Sequence, residues 1–124
     1  MTSLEFKKVL EYRIHRIREV LDRKSGEYAR NGDRLSNFKR AAGYLQCTPE
    51  YANLGANSKH LTSIADMVDD LDRGVSSSME LWEEKIGDAI NYLILLEALV
   101  HERLESDSHT KPKESLIVSG MEGL

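Results

Sequence analysis

Residues 79 to 105 read MELWEEKIGDAINYLILLEALVHERLE, and this stretch decides the fold. Ser77 and Glu80 have the three-residue spacing of a capping box, which predicts a helix starting at about residue 79. No proline interrupts the run, so the helix continues to about residue 105. Between Ala89 and Val100 it is apolar almost all the way round, with Glu97 the exception. A helix of that kind is normally buried on several sides, which makes it the centre of a helical assembly.

The rest of the chain supplies its neighbours. Thr2 and Glu5 form a second capping box, and Phe6, Val9, Leu10, Ile14, Ile17 and Leu21 follow at spacings of three and four, predicting a helix to about Lys24. The stretch SGEYARNGDRLSNF breaks the pattern with Gly26 and Asn31-Gly32, and Leu35, Phe38, Ala42 and Leu45 then mark a short second helix. Thr48 and Pro49 make a third start, a capping hydroxyl ahead of a proline whose missing N–H costs nothing there. Leu54, Leu61, Ile64, Val68 and Leu71 carry that helix to about Arg73, with Gly55 a weak point and Gly74 its end. The expectation is an all-α bundle of about four helices, one domain over residues 1–105, with residues 106–124 as a tail whose apolar trio runs from Leu116 to Val118.

Composition agrees with helices and excludes several functions. Hydrophobic residues make up 40% and charged residues 31%, with 6% aromatics and 2 prolines. The net charge of −4 argues against duplex nucleic acid as a partner, since that affinity comes mainly from Lys and Arg displacing counterions. Basic residues nevertheless crowd positions 7 to 40 and acids crowd Asp66 to Glu84, an arrangement that suits an internal match or an anionic ligand. Cys47 is the single cysteine and has no intramolecular partner, which points to the cytoplasm. No apolar run reaches the roughly 18 residues of a membrane span. A short chain with so apolar a helix gains from burying it against a copy of itself, so a homo-oligomer is expected.

The chemistry concentrates on the last helix. At 100° per residue Glu84, Asp88 and Asn91 share an arc with Leu81, Tyr92, Leu95 and Leu99, so polar groups point where the core should be. A buried carboxylate needs a cation, donors or a proton, and Asp88 therefore marks a site. Hydrogen bonds to neighbouring helices, or a purely structural pair with one of the many arginines, would satisfy it equally. Lys59 and His60 on the preceding helix are candidate cations, although Lys59 falls opposite the apolar stripe and a lone histidine is more often structural. Glu84 and Asp88 have the spacing of half a Mg²⁺ cage, while Asp66, Asp69 and Asp70 do not supply the Glu-x-x-Glu that would complete it cleanly. In the first loop Tyr28, Arg30, Arg34, Asn37, Lys39 and Arg40 gather an aromatic ring, cations and an amide, groups that stack a base and hold phosphates, or that simply stay solvated.

At these residues the chain resembles small bacteriophage and prophage domains of the MazG-like, all-α nucleotide pyrophosphohydrolase group, including the families labelled nucleotide-modification-associated. The resemblance runs from about Lys24 to Arg103. EYARNGDRLSNF is similar to the family's Tyr-Gly-x-x-x-x-Asn-Phe region, and the KH of NSKHLTSI and the EEKIGDAINYL run follow, the latter similar to Glu-Glu-Leu-Gly-Asp at the end of the metal motif. The resemblance implies a dimerising bundle that holds a nucleoside triphosphate through Mg²⁺ between two long helices. Asp88 matches the motif aspartate and Glu84 a second ligand. Two departures stand out: Lys85 occupies the place of the Glu in Glu-x-x-Asp, and Lys59 with Thr62 falls where Glu-x-x-Glu is expected. Ammonium groups bind phosphate but do not hold Mg²⁺.

The sequence thus reads as a nucleotide-binding domain with weak or absent pyrophosphohydrolase activity. Asp88, Glu84 and Asn91 line its site from one helix and Lys59 and His60 from the other, with Tyr28, Arg34, Asn37 and Lys39 closing it from the loop. The alternative is a phage accessory or anti-defence protein that binds a host protein through the acidic stretch, or sequesters a signalling nucleotide.

Overall fold

The computed structural model describes residues 1 to 28 and 32 to 107, the side chains of 25 to 28 apart, and every regular element in them is a helix. The order is α1 (Ser3–Tyr28), α2 (Ser36–Leu45), α3 (Pro49–Asp72) and α4 (Met79–Asp107). No helix among these residues is long and apolar enough to cross a membrane. The expected tail lies, from residue 108 on, outside the described residues.

The helix ends follow from local hydrogen bonding. Thr2 and Glu5 close a reciprocal box, with the Glu5 amide donating to Thr2 Oγ1 at 3.1 Å and the Thr2 amide to Glu5 Oε2 at 3.2 Å. Thr48 Oγ1 accepts from the Tyr51 amide at 3.2 Å, directly ahead of Pro49. Gly74 follows α3 at a φ of 84°, a left-handed conformation that glycine adopts without the penalty of a Cβ. Two boundaries differ from expectation. The α4 cap is Ser78, whose hydroxyl accepts from the Leu81 amide at 3.2 Å, rather than Ser77. Helix α1 runs on to Tyr28, past the expected end at Lys24, because Gly26 lowers helix propensity by only about 1 kcal/mol, which a continuing helix absorbs.

Helices α3 and α4 form the main seam and run antiparallel, as the contacts Glu50 to Arg103, Asn53 to Tyr92 and Asn57 to Ala89 require. The seam is not made by the predicted α3 stripe. Leu54, Leu61, Val68 and Leu71 are exposed, and the face turned inward carries Ala52, Asn53, Asn57, His60 and Met67. Asn53 and Asn57 are fully buried, and their amides donate to the Tyr92 carbonyl at 3.0 Å and the Ala89 carbonyl at 3.3 Å. Hydrogen bonds to α4 thus choose the packing face over simple hydrophobicity.

Helix α2 covers the far half of α4, where Leu35 and Phe38 pack on Leu99 with Tyr92, Leu95 and Ala98 around them. Lys39 locks this contact. Its ammonium reaches Asp33 at 2.6 Å and also pairs with Glu102 of α4. The Lys39 ammonium, and next the Leu35 amide, hold the Asp33 carboxyl below its usual range, while Asp33 and then Glu102 raise Lys39. A lowered acid contributes stability that is present above its unfolded-state pKa and is lost as pH falls through its folded one. Replacing Lys39 with methionine is therefore expected to flatten the acid side of the stability profile, between about pH 5 and pH 2, in urea titrations. Both groups are more than a third exposed, so solvent screening keeps the effect small.

Helix α1 is the loosest element and runs parallel to α4, with Arg13 beside Glu83 and Leu21 in the same recess as Leu95. Phe6, Val9, Leu10 and Ile14, expected to face a core, are 59%, 53%, 48% and 43% exposed. Leu93 and Val100 of α4 are exposed as well, so the described residues cover the central helix on some sides only.

Candidate ligand-binding cleft

A cleft opens where α1 diverges from α4, with the start of α2 across its inner end. The inner recess, about 80 Å³, has an apolar floor of Phe38, Tyr92 and Leu95 against Val20 and Leu21, and polar walls of Lys24, Arg34, Asn37, Asp88 and Asn91. The outer basin, about 550 Å³, shares Val20, Lys24, Asp88 and Asn91 with it. A space of this size falls within the range of small-molecule sites.

Two walls of opposite charge face each other across the basin. Helix α1 presents Arg13, Arg16, Arg23 and Lys24, and α4 presents Glu80, Glu83, Glu84 and Asp88. The periodicity of each helix explains this, since side chains three and four residues apart share a face. Where the walls approach, Arg13 donates to the Glu83 carbonyl at 2.9 Å and its guanidinium occupies the space a Cβ on Gly87 would fill. The glycine thus lets the tip of Arg13 seat on the α4 backbone, a flexible end that a larger residue would displace. Beside this contact the Glu83 carboxylate holds the Tyr12 hydroxyl above the ordinary phenol range.

Asp88 sits where recess and basin meet. Its side chain is 36% exposed, less hidden than the sequence reading expects, and the His60 ring nitrogen Nδ1 stands 4.0 Å from Oδ2. That distance permits an ion pair but not a hydrogen bond. His60, itself 15% exposed, lies tilted at 38° against the Tyr92 ring with centroids 5.2 Å apart, and Tyr92 meets Phe38 edge to face at 6.0 Å. The rings form a continuous apolar backing behind the carboxylate. Three residues on, the Asn91 carbonyl oxygen is shielded from solvent and has no hydrogen-bond partner.

The predicted residues divide. Asp88, Asn91, Arg34 and Asn37 come together in the recess, Glu84 lines the outer basin, and His60 reaches Asp88 from behind. Lys59 stands exposed on α3 and lines neither part of the cleft. Lys39 is engaged by Asp33 and Glu102. The Tyr28 side chain and Arg30 lie outside the described residues. The cleft lies on the α1 side of α4, whereas the sequence reading places it between α3 and α4, a seam closed by Asn53 and Asn57. The α1 cations are the residues that reasoning missed, and their signal was the run of basic residues among the apolar positions of the first helix.

The donor set for Mg²⁺ is sparse. Glu84 and Asp88 would hold such an ion only with water and phosphate oxygens completing its shell, and guanidinium and ammonium groups oppose them across the basin. Among the described residues no three His, Cys, Asp or Glu side chains gather as ligands for an ion. The same cations do suit phosphate oxygens, which arginine binds through paired N–H groups. In comparisons with known proteins, no family model, curated protein or solved structure matches the chain.

Proposed function

We propose that the protein is a MazG-like helical domain that binds a nucleotide, or a nucleotide-derived ligand, in the cleft between α1 and α4, with weak or absent pyrophosphohydrolase activity. The observation that carries this reading is the recess itself, in which aromatic floor, amides and a carboxylate adjoin the cations of α1 and Arg34. The base would lie against Phe38 and Tyr92 and the phosphates along Lys24, Arg34 and the α1 arginines. Because the opposed cations can neutralise phosphate without metal, binding is expected to survive chelation of Mg²⁺. Calorimetry with a panel of nucleoside triphosphates, with and without EDTA, tests this. Replacing Lys24 and Arg34 together with alanine is expected to weaken binding about tenfold or more, each charge-assisted hydrogen bond contributing ~1.5–3 kcal/mol. Binding that requires Mg²⁺, or that ignores the double substitution, would count against the cleft.

A second reading rests on the acids of α3. Asp66, Asp69, Asp70 and Asp72 are all exposed, and such a row could meet a basic surface on a host protein. Failure of every nucleotide to bind favours it.

The chain is also proposed to self-associate, in the cytoplasm. Phe6, Val9, Leu10 and Ile14 on α1 and Leu54, Leu61, Val68 and Leu71 on α3 leave two apolar stripes in water, more than a stable monomer usually tolerates. Light scattering is expected to give a dimer or larger species, and a monomer at all concentrations would refute this.

A further inference from the structure

The position of Asp88 between the recess and the cationic wall raises the question of which base the cleft would take. In the described residues its carboxylate makes no hydrogen bond, and the His60 ring nitrogen stands 4.0 Å from it. Neither oxygen is therefore committed to a donor among the described residues. Acceptors on α4 thus adjoin an aromatic floor, while the donors Lys24 and Arg34 stand on the other side of the recess.

A carboxylate reads a base best when two N–H groups point at it side by side, giving two parallel bonds. Guanine presents such an edge, its ring N1–H beside the 2-amino group. Hypoxanthine keeps only the ring N–H. Adenine and cytosine offer an acceptor nitrogen beside their amino group, which a carboxylate repels, and uracil flanks a single N–H with carbonyl oxygens.

We propose that the cleft selects guanine nucleotides, with Asp88 accepting side by side from the N1–H and 2-amino groups. Phe38 and Tyr92 support the ring, and the phosphates extend to the α1 cations. The assignment rests on the nucleotide reading above and adds the base to it. Asp88 acts here as a specificity-determining residue.

Calorimetry on the full chain with GTP, ITP, ATP and CTP tests the proposal. Loss of one charge-assisted hydrogen bond predicts ITP about tenfold weaker than GTP or more, with ATP and CTP weaker again. In Asp88→Asn, which preserves shape, the GTP to ITP ratio is expected to fall to roughly one while ITP weakens only modestly, because its single N1–H bond keeps an oxygen acceptor and loses only the charge. Equal wild-type binding of GTP and ITP overturns the base assignment alone. So does an Asp88→Asn variant that weakens all nucleotides in parallel, since that marks a general electrostatic role. No binding of any nucleotide at millimolar concentration overturns both this assignment and the nucleotide reading. The GTP and ITP comparison uses the unaltered chain, so it stands even if the variant fails to fold.

Discussion

Replacing Asn57 with aspartate is expected to destabilise the domain strongly at neutral pH and to do so less as the pH falls. Asn57 is 0% exposed, and its amide nitrogen donates to the Ala89 carbonyl at 3.3 Å. Aspartate puts a negative oxygen where that donor was, against a carbonyl oxygen and away from water. An unpaired buried charge of this kind costs about 3–5 kcal/mol, a large part of the ~5–15 kcal/mol that holds small domains together. Burial raises the folded-state pKa of the new acid above its unfolded value. The variant's stability is thus recovered below the unfolded value and lost as pH rises through the folded one. Urea titrations at pH 4 and pH 7, each set against the parent chain, check the sign. Asn57→Leu provides the contrast and is expected to cost far less, because the Ala89 carbonyl keeps its bond within the helix. An aspartate variant as stable as its parent at neutral pH would mean that water enters the α3–α4 seam.

Truncating Leu99 to alanine is expected to cost about 2–5 kcal/mol, the transfer term plus the cavity it leaves. Leu99 is only 3% exposed and holds Leu35 and Phe38, so it anchors α2 to α4. Among the described residues few large side chains are as deeply buried, and they offer little other core to take up the loss. The consequence is local as well as global. Hydrogen exchange is expected to show the α2 amides losing protection before those of α3 and α4, because the Lys39 contacts alone are too exposed to hold the helix. Uniform loss across all helices would show instead that α2 is not a separate unit.

The elements were legible because their signals are local. Thr2 with Glu5, Thr48 with Pro49, and Gly74 each determine a helix end through bonds within a few residues, and a sequence displays such bonds directly. Which face of α3 turns inward was not legible. Leucine spacing favours Leu54, Leu61 and Val68, but the buried face carries Asn53 and Asn57, whose value depends on carbonyls more than thirty residues away. Hydrophobic periodicity weighs burial and cannot weigh a bond to a distant backbone.

The site divides along the same line. That Asp88 and Asn91 sit together follows from helical geometry alone, and Arg34 and Asn37 joined them as the loop chemistry suggested. The error was in the opposing wall. Lys59 and His60 were adjacent in sequence but stand in different surroundings, one in water and one behind Asp88, because residues one apart on a helix point 100° apart. Arg13, Arg16, Arg23 and Lys24 were legible only as part of a basic run suited to an internal match or an anionic ligand. They form a wall because α1 packs alongside α4, a pairing that no local pattern displays. The two apolar stripes that remain open on α1 and α3 have no covering surface among the described residues, and the proposed self-association belongs to the same account.

Amide chemical-shift mapping during a nucleotide titration is the most direct trial of the cleft. The shifts are expected to concentrate at Lys24, Arg34, Asn37, Asp88 and Asn91, fading along α3 toward Asp72. Unchanged spectra at millimolar nucleotide, or shifts confined to the outer surface of α3, would contradict a nucleotide site between α1 and α4.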